Sequence, residues 1–110
     1  MTMPRVSVVL PSYNHGKYVG ACVDAFLRQS FQDFELIIVD DASSDDNVEQ
    51  IGRFQDSRIR LSPRQANRGV AAGMNDGFRM AKADIVCFFA TDDLPEPGYL
   101  EAVLRAFDAN

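Results

Sequence analysis

Residues 35–46 read E-L-I-I-V-D-D-A-S-S-D-D. The apolar run Glu35–Val39 has the content of a buried strand, and the polar run Asp40–Asp46 stops it. That run also supplies N-cap candidates for a short helix near Asn47–Phe54. The same alternation extends in both directions. Upstream, Arg5–Leu10 (R-V-S-V-V-L) predicts a strand ending at Pro11. Val19, Cys22, Val23, Phe26 and Leu27 then recur with the spacing of one helical face. Downstream, Arg58–Ser62 predicts a third strand, closed by Pro63. Gly69–Lys82 predicts a helix with Gly69, Gly73 and Gly77 along one side. Such a side lets a helix approach a sheet or a ligand closely, at a cost of ~1 kcal/mol per glycine relative to alanine. Asp84–Ala90 (D-I-V-C-F-F-A) predicts a fourth strand, hydrophobic on both faces. After the loop Thr91–Glu96, residues Leu100, Val103, Leu104 and Phe107 mark a final helix opened by Pro97. Strands alternating with helices give an α/β fold, a mostly parallel sheet with helices on both faces. In such sheets ligands bind beyond the carboxyl ends of the strands. Pro11–Asn14, Asp40-Asp41 and Asp92-Asp93 fall there, and the two acidic pairs are expected at neighbouring strand ends.

The chain has 110 residues, of which 46% are hydrophobic and 25% charged. That suits one globular domain over residues 1–110. Its longest apolar runs, Val6–Leu10 and Ile85–Ala90, are too short to span a bilayer, and the N-terminus lacks signal-peptide character. The cytoplasm is the default expectation. Sixteen acidic against eleven basic residues give a net charge of −5, without a basic run. This argues against a nucleic-acid-binding surface. An anionic ligand would need a metal ion, backbone amides or a few local arginines. Cys22 and Cys87 lie in separate apolar segments and read as small buried hydrophobes, not as a disulfide or zinc pair.

Known phosphate motifs fail. P-S-Y-N-H-G follows the first strand where a dinucleotide fingerprint needs G-x-G-x-x-G, and Pro11 stands where a P-loop needs glycine. A receiver-type phosphoacceptor arrangement fails as well, because the acidic pair follows the second strand. The oxygen ligands of Asp92-Asp93 suit Mg²⁺ or Mn²⁺, which take one or two protein carboxylates and fill the rest with substrate phosphates. The same pair also suits a turn or a helix cap. Asp40-Asp41 is equally good turn chemistry or a carboxylate that accepts a nucleobase N–H. Tyr13 is a loop aromatic or a flank for a base, and His15, the sole histidine, reads as a solvated loop residue.

Four ordered motifs, P-S-Y-N, Q-S-F-Q-D-F-E-L-I-I-V-D-D-A-S-S-D, N-R-G-V-A-A-G-M-N-D-G and F-F-A-T-D-D-L-P-E-P-G-Y-L, together resemble family 2 of the inverting glycosyltransferases from about Val6 to Leu104. The resemblance implies the GT-A fold, a Rossmann-like nucleotide-diphospho-sugar transferase architecture. It also implies transfer of a sugar from a nucleotide donor, usually UDP-linked, to an acceptor hydroxyl with inversion. It assigns Pro11, Ser12 and Tyr13 to the nucleobase pocket, with Asn14 beside them. Asp41 accepts the uracil N–H with Asp40 close by, and Asn67 and Arg68 border the nucleotide. Asp92 faces ribose or donor sugar, and Asp93, with Asp92, holds Mn²⁺ or Mg²⁺. Two positions depart from the family pattern: Ala90 stands where an aspartate is usual, and Met74 where arginine is frequent. The family's acceptor site and catalytic base would lie beyond residue 110, so the chain reads as a truncated, donor-binding half, inactive alone. The expected partners are a nucleotide-sugar donor and a saccharide or lipid-linked acceptor, with no nucleic acid. The uncovered face would favour self-association, and membrane contact by the longer protein stays open. The rival readings are a sugar nucleotidyltransferase, whose basic glycine loop P-S-Y-N-H-G-K matches poorly, and a non-catalytic nucleotide-binding module.

Overall fold

The computed structural model describes residues 3–109. In chain order the elements are β1 (Val6–Ser12), α1 (Val19–Leu27), β2 (Phe34–Asp40), α2 (Asn47–Gly52), β3 (Ile59–Pro63), α3 (Val70–Met80), β4 (Ile85–Phe88) and α4 (Tyr99–Asp108). All the strand pairings are parallel, and the sheet order is β3-β2-β1-β4.

Strand alternation sorts the core into two layers. Val6, Val8 and Leu10 of β1, with Leu36 and Ile38 of β2, face one side. There they meet Val19, Cys22, Val23 and Phe26 of α1, Ile51 of α2, and Leu100 and Leu104 of α4. Val9, Ile37 and Val39 face the other side, beneath α3. Three helices thus cover one face and one helix the other. Among the described residues no helix is long and apolar enough to cross a membrane.

The connections explain where a ligand can enter. From β1 to β3 the chain steps in one direction through α1 and α2. It then returns through α3, on the opposite face, to place β4 beside β1. Ligands in open α/β sheets bind where the connections part in this way, here at the carboxyl ends of β1 and β4. The acidic pairs are therefore not on neighbouring strands, since β1 separates β2 from β4.

Several boundaries differ from expectation for local reasons. β1 continues through Pro11 to Ser12. The Val9 carbonyl accepts from Phe89 on the β4 side, whereas the Ser12 carbonyl accepts from Asp41 on the β2 side. Pro11 shares the orientation of Val9, and β4 has already ended there, so the missing N–H breaks no ladder bond. β4 spans only Ile85–Phe88 and is half-buried, because it lies at a sheet edge. α4 begins at Tyr99, after the Pro97 that was expected to open it, and leaves Phe107 exposed. Of the three glycines, only Gly73 and Gly77 face the sheet, where a Cβ on Gly77 would collide with the Val9 side chain. Gly69 precedes the helix with φ at +92°, a conformation that glycine adopts without penalty.

Candidate functional site

A cavity of about 450 Å³ opens on the α3 face at the carboxyl ends of the strands. Pro11–Tyr13 come to it from β1, and Val39 and Asp41 from β2. Gly69, Gly73 and Met74 come from the start of α3, and Phe88–Ala90 from the end of β4. Its size and largely apolar walls suit a small molecule fixed by a few polar groups.

Asp41 is the buried carboxylate in that wall. Its Oδ1 accepts from the Arg68 amide and its Oδ2 from the Gly69 amide, both at 2.9 Å. Each oxygen keeps acceptor capacity for a further donor. Tyr13, 45% exposed, stands in the same wall with its ring available to a planar ligand. Pro11, Ser12, Tyr13 and Asp41 are thus the expected site residues that the fold brings together around the cavity.

The other expected residues stand outside its lining. Asp40 is buried and accepts from Asn47 Nδ2 at 2.7 Å and from the Ser43 hydroxyl and amide. Its carboxylate braces the loop before α2. Asn14, with φ at 52°, accepts from the Ser44 amide at 2.8 Å through Oδ1, and its own amide donates to Ser43 Oγ at 2.9 Å. It stitches the loop after β1 to the loop after β2. Asn67 and Arg68 are exposed, and Arg68 contributes through its backbone amide to Asp41. Asp92 and Asp93 are exposed on the turn after β4, where Asp93 Oδ1 accepts from the Leu94 amide.

A polar chain that sequence reasoning missed joins the strand ends. Asp40 binds Asn47, Asn47 Oδ1 accepts from Ser12 Oγ at 3.1 Å, and Ser12 Oγ meets Thr91 Oγ1 at 2.8 Å. Thr91 Oγ1 in turn lies 2.7 Å from His15 Nδ1, and His15 Nε2 lies 3.8 Å from Asp92 Oδ2. His15 is therefore part of the cavity wall and of its bracing, not a solvated loop residue. The only hint in the sequence is that it is the sole histidine.

The donor set of Asp92 and Asp93 is two hard carboxylates on one exposed turn. No group of three metal-ligating side chains exists among the described residues. Two hard carboxylates are oxygen donors of the kind that Mg²⁺ or Mn²⁺ takes, one or two at a time, beside substrate phosphates and water. The negative field of the turn is felt behind it. Burial first, then the charges of Asp93 and Asp92, push the Cys22 thiol up to about 12. Both cysteines are free thiols; Cys22 is buried as expected, whereas Cys87, expected to be buried as well, is only partly so because β4 is the edge strand.

Parallel strands, flanking helices and a largely apolar cavity with one buried carboxylate at the topological switch point define an α/β domain of the class that takes ligands at its strand ends. The chain belongs to glycosyl transferase family 2, whose model matches residues 7–110. It is 36% identical over 102 residues to glycosyltransferase GlyG of Streptococcus pneumoniae serotype 4, covering 91% of this chain and 34% of that protein. The crystal structure of S. aureus TarS 1-349 in complex with UDP-GlcNAc superposes with a TM-score of 0.89 at 25% identity, over 96% of this chain and 31% of that one. Mannosyltransferase PcManGT from Pyrobaculum calidifontis, in complex with GDP-Man and Mn²⁺, gives 0.78 at 28% identity, over 86% and 29%. The architecture is that of the GT-A glycosyltransferases. The chain spans about a third of the length of these relatives.

Proposed function

We propose that this chain binds the nucleotide-sugar donor of a family 2 glycosyltransferase, that the donor is UDP-linked, and that transfer to an acceptor hydroxyl inverts the sugar. The observation that carries this reading is Asp41, a carboxylate fixed by two backbone amides in an otherwise largely apolar cavity at the switch point. An acceptor placed there matches the ring N–H of uracil, with Tyr13 and Pro11 flanking the base. The likeness to TarS, seen with UDP-GlcNAc, supports the choice of nucleotide.

In this reading Asn67 and Arg68 border the nucleotide, Asp92 faces ribose or sugar, and Asp93, with Asp92, holds Mn²⁺ or Mg²⁺. Asn14 and Asp40 act from behind by fixing the loops. When the sugar–phosphate bond breaks, negative charge grows on the departing diphosphate. A bound divalent ion supplies Lewis-acid stabilisation for that charge. The protein's own part is to hold the base in the cavity so that the diphosphate extends toward the turn after β4. With alanine at position 90, that turn offers only its two aspartates. The acceptor is a saccharide or lipid-linked saccharide, and no residue of this chain is assigned as the base that deprotonates it.

Calorimetric titration of the chain with UDP, in Mn²⁺ and then in EDTA, tests this, with GDP as the control nucleotide. The expected result is Mn²⁺-dependent binding of UDP over GDP, weakened about tenfold or more in Asp93→Ala. Preference for GDP, or UDP binding indifferent to both EDTA and Asp93→Ala, contradicts the assignment.

A further inference from the structure

A buried cation lies behind Asp41. Arg64 follows β3 directly, and its amide donates to the Asp40 carbonyl at 2.8 Å. Its side chain is only 7% exposed, with Nη1 3.8 Å from Asp41 Oδ1 and Nη2 3.4 Å from Asp76 Oδ2 on α3. Nη1 is the one buried side-chain nitrogen or oxygen among the described residues that lacks a hydrogen-bond partner. A Cβ on Gly73, in the cavity wall, would stand 4.0 Å from it. The guanidinium therefore sits immediately behind the lining, wedged between α3 and the end of β2.

A buried donor without a partner carries a desolvation cost. A charge between two carboxylates offsets that cost, and the geometry favours neither carboxylate with a full hydrogen bond. The Arg68 and Gly69 amides orient the Asp41 carboxylate from one side. Arg64 makes the one ion pair of Asp41 among the described residues.

We propose that Arg64 is a positioning residue for base recognition: from behind the cavity wall it holds the Asp41 carboxylate as an acceptor and so favours a base with a ring N–H. The inference rests on the reading that Asp41 receives the base. Uracil offers that N–H, whereas cytosine carries a lone pair at the same ring position. Loss of Arg64 should therefore cost binding of one nucleotide and not of the other. A purely structural tie between β3 and α3 would not discriminate between them.

Titration of wild-type chain, Arg64→Met and Arg64→Lys with UDP and with CDP, in the same Mn²⁺ buffer, separates the possibilities. Wild type should favour UDP over CDP by about tenfold or more. Arg64→Met should lose about tenfold in UDP affinity with CDP affinity unchanged, and Arg64→Lys should fall between, since an ammonium keeps charge but not the fork. Equal losses for both nucleotides, or no loss, overturn the proposal. A wild type without UDP preference instead overturns the reading of Asp41, and the proposal with it. Should circular dichroism show Arg64→Met unfolded, Arg64→Lys decides: a lowered UDP-to-CDP ratio supports the role, and a wild-type ratio overturns it.

Discussion

Asp40 and Asp41 are adjacent on the chain, yet they serve different parts of the molecule: Asp40 is bonded to Asn47 at the start of α2, and Asp41 lines the cavity. A third buried carboxylate, Glu35, sits at the far end of β2 and is wholly structural. Ser7 Oγ donates to it at 2.6 Å, the Lys82 amide at 2.8 Å and Arg60 Nη1 at 2.9 Å. Burial raises its pKa, but the hydrogen bonds from Ser7, Lys82 and Arg60 together outweigh that and leave it below the ordinary value. A carboxylate with a lowered folded-state pKa stabilises the fold above its unfolded pKa, and that contribution is lost as the pH falls through the folded value. Glu35→Gln should cost about 1–3 kcal/mol near neutral pH. It should also flatten the decline in stability between about pH 5 and 3. Urea unfolding across that range measures both effects. An unchanged pH profile would mean that the cluster is not what acid attacks.

The elements were largely legible because their periods are strong, and the misses have specific causes. Pro11 reads as a stop, but whether a proline ends a strand depends on which side its absent N–H faces, and that requires the position of β4. The three glycines at intervals of four look like one device. Gly69 instead supplies a positive φ before α3, while Gly73 and Gly77 admit the helix to the sheet. Gly77→Ala should destabilise by about 1–3 kcal/mol, because its Cβ has nowhere to go but into Val9. Gly73→Ala should be much milder, since its Cβ would meet Pro11 Cβ at 3.5 Å, an ordinary contact, and alanine favours the helix. Chemical denaturation of both variants checks the contrast, and equal losses would contradict it. The site divides in the same way. Asp41 could be found because it sits at a strand end. The bracing of Ser12 and His15 by Thr91, and the approach of Arg64 to Asp41, join residues far apart in sequence, and only the folded topology brings them together.

At the scale of the molecule, the reversal of the chain between β3 and β4 creates both the ligand crevice and an exposed edge. Val70 and Phe88, 66% and 39% exposed, both line the cavity, and Phe88 ends β4, an edge strand of the sheet among the described residues. An apolar patch next to a free strand edge favours association. Sedimentation equilibrium of the chain should therefore show a mass that rises with concentration, and a constant monomer mass would contradict it. The net charge of −5 gives no general attraction for a nucleotide, so affinity has to come from the local groups around the cavity. Their use can be read directly from amide chemical shifts of the ¹⁵N-labelled chain during titration with UDP in Mg²⁺. Base binding in the cavity predicts the largest shifts at Tyr13, Asp41, Arg68 and Gly69, with those of Arg58 and Lys82 at the opposite end of the sheet unmoved. Shifts concentrated at that opposite end, or saturation without movement at Arg68 and Gly69, would contradict the placement of the donor against Asp41.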